Sequence, residues 1–214
     1  MRFLAAKAGS SASRGAVTEP AILIGLLKTI VAALIGLALG LTATWYAVGG
    51  GVNVGSVELG PWRGNPRAAY TDADPYTRAV RARSGQSPLS QAEGMTFLAA
   101  LDDSGARLNP RCDYVIAGAM PAARMWTLSS MDGDGRPVRN ATGRNAITSV
   151  EIVRDQNARF EIVAATQARA GNWLPLAPDE SFQLMLRLYD TAGSAAVGVM
   201  SREQMPSIRR GTCS

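Results

Sequence analysis

The sequence predicts a mainly β fold, a jelly-roll-like β-sandwich with one or two short helices, preceded by a single N-terminal transmembrane helix. Three observations predict it. Residues 29–48, TIVAALIGLALGLTATWYAV, contain no charged side chain. From residue 94 onward, apolar and polar residues alternate in short runs, the period of half-buried strands. Gly- and Asp-bearing turns separate those runs at the spacing of a sandwich or jelly roll rather than of an α/β sheet.

The apolar run comes first. As a helix its twenty residues would extend about 30 Å, the thickness of a bilayer core. The wider hydrophobic stretch begins near Ala21, is interrupted at Lys28 and ends on Trp45 and Tyr46, whose amphipathic rings suit the headgroup level. Arg2, Lys7, Arg14 and Lys28 against Glu19 give the near flank a net charge of four minus one, or +3, whereas the far flank to Pro66 carries only Glu58 and Arg63. The positive-inside rule then puts the N-terminus in the cytoplasm and the remainder outside. A cleaved signal peptide has the same charged start but an apolar core of only about 7 to 15 residues. A buried soluble helix would show a polar face, which this run lacks. Ala32, Gly36, Gly40 and Thr44 recur every fourth residue, and Gly36 and Gly40 form a GxxxG that lets two such helices pair closely and the chain form a homo-oligomer.

The expected organisation is a cytoplasmic tail at 1–20, an anchor at 21–48, a Gly- and Pro-rich linker at 49–66 with one short strand at 52–54, and an outer β domain at 67–214. Some 165 residues after the anchor suffice for one domain with a proper core. Asp74-Pro75 signals a helix start, with Asp as cap and Pro at the first helical position. That helix should run to Arg83, stop at Gly85 and pack through Tyr76, Ala79 and Val80. Ser90 and Glu93 fit a capping box, yet Met95, Phe97, Ala99 and Leu101 alternate, so a strand is expected from Gly94. Further strands are expected at 114–117 and 124–131, around Val150 and Ile152, around Phe160 and Ile162, and from Phe182 to Leu188.

Composition narrows the chemistry. Of 22 Lys and Arg and 17 Asp and Glu, four and one precede Thr29, which leaves 18 cations, all Arg, against 16 carboxylates. The outer domain is nearly neutral and its cations are not interleaved with aromatics, so no nucleic-acid partner is expected. The absence of histidine removes the commonest general base and zinc ligand. Cys112 and Cys213, an even pair in an oxidising compartment, suggest a disulfide, with two separate buried thiols as the alternative.

Several blocks resemble a known family. They are GPW at 60–62, ADPYTRA at 73–79, EGMTF at 93–97, CDYVIAG at 112–118, ARMWTLSSMDGDG at 123–135, GNWLP at 171–175 and LRLYD at 186–190. In this order they resemble the bacterial envelope family called domain of unknown function 1214 over residues 58–214. The resemblance implies a jelly-roll-like domain and no established reaction. It also implies that domain 1254 often precedes this one, so a separately encoded domain 1254 protein is an expected partner.

Candidate sites are few. Asp132 and Asp134 begin like a calcium loop, but Arg136 and Gly143 stand where oxygen ligands are needed, so a hairpin turn is expected and no metal or cofactor. Arg136, Arg139 and Arg144 flank Asn140 and could hold an anionic sugar or phosphate. Trp173 and Trp126 could bind a sugar face or a partner's apolar patch, or could plug the sandwich end. Glycoside hydrolysis needs two carboxylates about 5 to 9.5 Å apart, and nothing in the spacing of Glu93, Asp102, Asp103 and Asp113 marks such a pair.

The function expected is that of a single-pass inner-membrane protein whose periplasmic domain binds another envelope component, without catalysis. Its ligand-binding residues would be Arg139, Arg144 and Trp173, and its helix-pairing residues Gly36 and Gly40. The alternative is a carboxylate-dependent hydrolase of cell-wall glycan.

Overall fold

The computed structural model describes residues 19–49, 55–66, 73–84, 89–90, 93–157, 159–191 and 200–213. The expected tail, the strand at 52–54 and the helix stop at Gly85 lie outside these residues. The chain forms two compact units, 1–50 and 51–214.

The first unit contains helix α1, Glu19–Gly49. Its apolar span Ile22–Ala47 has a mean hydropathy of 2.5, and none of it is buried among the described residues. Leu23, Leu39 and Trp45 are 66–70% exposed. The hydroxyls of Thr29, Thr42 and Thr44 donate to the carbonyls of Leu26, Ala38 and Gly40 at 2.8, 2.7 and 2.8 Å. These three hydroxyls are thus satisfied inside the helix, as hydrocarbon surroundings require. The helix could cross a membrane, and a signal sequence meets the same description.

The second unit is two sheets around one core. The strands are β1 Val57–Leu59, β2 Trp62–Gly64, β3 Gly94–Ala99, β4 Cys112–Gly118, β5 Met125–Met131, β6 Ala146–Thr148, β7 Phe160–Ala165, β8 Asn172–Pro175, β9 Gln183–Tyr189 and β10 Ser207–Cys213. The large sheet has the order β1-β2-β3-β9-β5-β6 and the small one β10-β4-β7-β8. All pairs are antiparallel except β7 with β8. Alternation sends Phe97, Leu128, Leu184, Leu186 and Leu188 of the large sheet inward to meet Tyr114, Ile116, Ile162 and Ile208 of the small one. The domain is therefore mainly β with sandwich-like layering, as expected.

Three turns share one device. The Oδ1 atoms of Asp102, Asp132 and Asp155 each accept the N–H groups of the residues two and four further on, at 2.8–3.0 Å. A short carboxylate that satisfies two turn donors fixes the hairpin locally. Asp132 belongs to this hairpin device, and no metal-ligating cluster occurs among the described residues.

Asp102 is 3% exposed, and Arg210 reaches its other oxygen at 3.0 Å. Burial pushes its pKa up, but the Ser104 hydroxyl, the N–H groups of Ala106 and Ser104 and the Arg210 charge outweigh burial and hold it below the usual range. A lowered folded-state pKa adds stability above the unfolded value of about 3.9, and that stability is lost as pH falls through the folded-state value. Asp102→Asn should therefore be less stable than wild type at neutral pH, and the gap should close below about pH 4. Urea unfolding across that range measures it, and a gap independent of pH would assign the loss to packing alone.

Three expectations need correction. Residues 57–64, expected as linker, form a hairpin in the large sheet, and Leu59 and Trp62 enter the core at 7% and 0% exposure. Gly60, with φ +66°, permits this turn, and a Cβ there would lie 2.0 Å from the Arg202 side chain that crosses it. Helix α2, Pro75–Ser84, is present, and the Asp74 carboxylate accepts the N–H groups of Tyr76 and Thr77 at 3.0 Å. Its expected packing face is only partly covered, with Tyr76 47% exposed. The strand expected from Gly94 is β3, and Ser90 and Glu93 close the turn before it, Glu93 accepting the Ser90 N–H at 3.1 Å. Val150 and Ile152 form no strand. Glu151 donates its N–H to the Thr148 carbonyl and accepts the Thr148 N–H through its side chain, which closes a turn and leaves Val150 83% exposed.

Candidate functional site

At one end of the small sheet lies an open cleft of about 1180 Å³. Alternation in β5 and β7 turns Trp126 and Phe160 toward each other from the two sheets, with ring centroids 5.5 Å apart. They are 3% and 4% exposed and form the apolar base of the cleft. One wall is the segment after β4, which contributes Met120 and Pro121.

The opposite wall is the segment before β7, and Asn172 holds it in place. Its Oδ1 accepts the Val153 N–H at 2.7 Å, and its Nδ2 donates to the carbonyls of Val153 and Glu161 at 2.8 and 2.9 Å. One 9%-exposed amide thereby ties the wall to β7 and β8. Ile152 packs on the core, while Val153 faces the cleft and is 69% exposed. Arg154, Arg159 and Arg209 line the rim, and Arg154 sits 5.7 Å from the centroid of Phe160. Asp155 and Glu161 share the lining, but Asp155 Oδ1 already accepts two turn N–H groups. The arrangement offers an apolar base, a projecting valine and a rim of three cations and two anions, chemistry suited to binding an apolar segment with an acidic neighbour.

Of the residues singled out in the sequence, Trp126 lines the cleft, whereas Arg139, Arg144 and Trp173 lie elsewhere. Arg139 and Arg144 are on the loop before β6, where Arg144 pairs with Glu151 at 3.6 Å and donates to the Ala146 carbonyl. Asn140 ties that loop to the end of β8 through Pro175. Trp173, on β8, is half-buried and its indole donates to the Ala165 carbonyl at 3.0 Å. None of the three lines the cleft. The four carboxylates considered for catalysis are each engaged: Glu93 with Ser90, Asp102 as above, Asp103 with Arg202 and the Ile208 N–H, and Asp113 with Arg169 at 2.6 Å. The cleft arginines carried no signal in the sequence, because single cations beside turns look like any solvated surface. The GNWLP block did contain Asn172.

Cys112 and Cys213 are joined in a disulfide between the start of β4 and the end of β10. The model of the family described as protein of unknown function (DUF1214) matches residues 93–193. That stretch is a DUF1214 domain. It contains the cleft apart from Ser207 and Arg209. No curated protein matches the chain. Among solved structures, the VPA0106 protein from Vibrio parahaemolyticus is 20% identical over 94% of this chain and 47% of its own, with a TM-score of 0.54. An uncharacterised protein from Burkholderia cenocepacia is 18% identical over 67% of this chain and 44% of its own, with a TM-score of 0.36. The Vibrio likeness shows the fold, and this chain spans about half the length of that protein.

Proposed function

We propose that this protein is a bitopic inner-membrane component of the bacterial envelope, with its N-terminus in the cytoplasm and a periplasmic DUF1214 domain that binds a protein partner without catalysis. The observation that carries the proposal is the cleft, where Val153 projects beside an aromatic base. An apolar side chain exposed at a built concave site marks a contact surface more than a packing one. The disulfide suits an oxidising compartment, and the charge asymmetry around α1 supports the orientation. The partner proposed is a separately encoded domain 1254 protein.

Gly36 and Gly40 would pair the anchor with another helix. A Cβ at either meets nothing within 4 Å in this chain, so Gly36→Leu with Gly40→Leu tests pairing without disturbing the fold. The deciding experiment is native mass spectrometry of the full chain from its own membranes in mild detergent, beside Val153→Asp and the double glycine variant. The expected result is a stoichiometric protein partner lost in Val153→Asp. A lone chain in all three samples would overturn the proposal.

The second proposal, a carboxylate-dependent hydrolase of cell-wall glycan, draws on Asp155 and Glu161 sharing the cleft. Turnover of peptidoglycan by the purified chain separates the two.

A further inference from the structure

The outward face of the large sheet carries a polar row. Register places Thr96 of β3 beside Arg187 of β9, Arg187 beside Thr127 of β5, and Thr127 beside Thr148 of β6. The four side chains share one face across four neighbouring strands, opposite the core, because the residues on either side of each in its strand alternate. Three buried atoms in this row have no hydrogen-bond partner: Thr96 Oγ1, Arg187 Nε and Thr148 Oγ1.

Arg187 is the centre of the problem. A guanidinium stays charged at every accessible pH, and a buried charged donor without a partner is costly. No ion pair to Arg187 occurs among the described residues. The residues two positions along each strand from the row include no carboxylate. Three acids lie three residues along the chain from the row: Glu93 accepts the Ser90 N–H, Glu151 accepts the Thr148 N–H and pairs with Arg144, and Asp190 pairs with Arg124 at 3.8 Å. A threonine on the strand at each side adds hydroxyls that can donate to the same oxygen atoms.

We infer that this row is a binding site for an oxyanion, a carboxylate or phosphate group held by the Arg187 guanidinium between the hydroxyls of Thr96 and Thr127. Planar guanidinium donors match the paired oxygens of either group, and lysine would not. The site lies on the sheet face opposite the Trp126 base of the cleft, so it can be tested independently of the partner proposal.

The test follows the Nε–H signals of arginine by NMR in the full chain in detergent micelles. Sodium acetate and inorganic phosphate are titrated separately at constant ionic strength, with chloride as control. The expected result is a saturable shift of the Arg187 signal, assigned by its loss in Arg187→Gln, and reached only at about tenfold higher anion in Thr96→Val. Saturation by acetate alone identifies a carboxylate site, and by phosphate alone a phosphate site. If Thr96→Val does not fold, Thr127→Val replaces it, with the same weakening expected, and Arg187→Lys replaces Arg187→Gln for the assignment. A response that is equal for all three anions and does not saturate would overturn the inference.

Discussion

Replacing Cys112 and Cys213 together by alanine lowers the stability of the β domain by about 4 to 5 kcal/mol, the chain-entropy value for a closed loop of about 100 residues. The two half-cystines are 101 residues apart in sequence and are register partners in β4 and β10. Native packing therefore holds them together already, and the bond acts mainly by restricting the unfolded chain. The melting temperature of a domain this size should fall by roughly 10 to 18 °C, read by circular dichroism in detergent. Alkylation of the unreduced protein should label neither cysteine. Labelling of both, or an unchanged melting temperature, would contradict the assignment.

Trp62→Ala should cost about 3 to 5 kcal/mol, the usual penalty for deleting a buried aromatic ring. Trp62 is fully buried on a three-residue strand, and its indole donates to the Pro206 carbonyl at 2.8 Å. Truncation leaves both a void and an unsatisfied carbonyl. Trp62→Phe should retain most of the packing and lose about 1 kcal/mol for the hydrogen bond. Urea unfolding of the two variants separates the contributions. If Trp62→Ala matched wild type, the β1–β2 hairpin would be an appendage and not part of the core.

What was legible followed the length of each pattern. β3, β4, β5, β7 and β9 are six or seven residues long and alternate clearly enough to read. β1, β2 and β6 have three residues each, too few for a period to show. β8 has four residues and ends in Pro175, again too few for a period to show, although its parallel pairing with β7 leaves Leu174 fully buried. β10 buries Ile208 and little else, so its sequence SIRRGTC has no apolar stripe. Val150 misled in the other direction, because a β-branched residue followed by Glu and Ile resembles a strand when a turn exposes it. The cleft was not legible, since it depends on Trp126 and Phe160 meeting from different sheets and on hydrogen bonds from Asn172 to a segment 19 residues earlier. Arg187 stood in a recognisable block, but only the register revealed its neighbours.

The position of β9 bears on the order in which the chain can acquire structure. β9 lies between β3 and β5, and β10 completes the edge beside β4. During synthesis β3 and β5 have no common neighbour until residue 189 has emerged, and the small sheet lacks its edge strand until residue 213. Long-range pairings of this kind delay folding until late in chain production. The exposed half-sheets would meanwhile need shelter, and a nascent chain cut short before β9 would have no continuous large sheet to form.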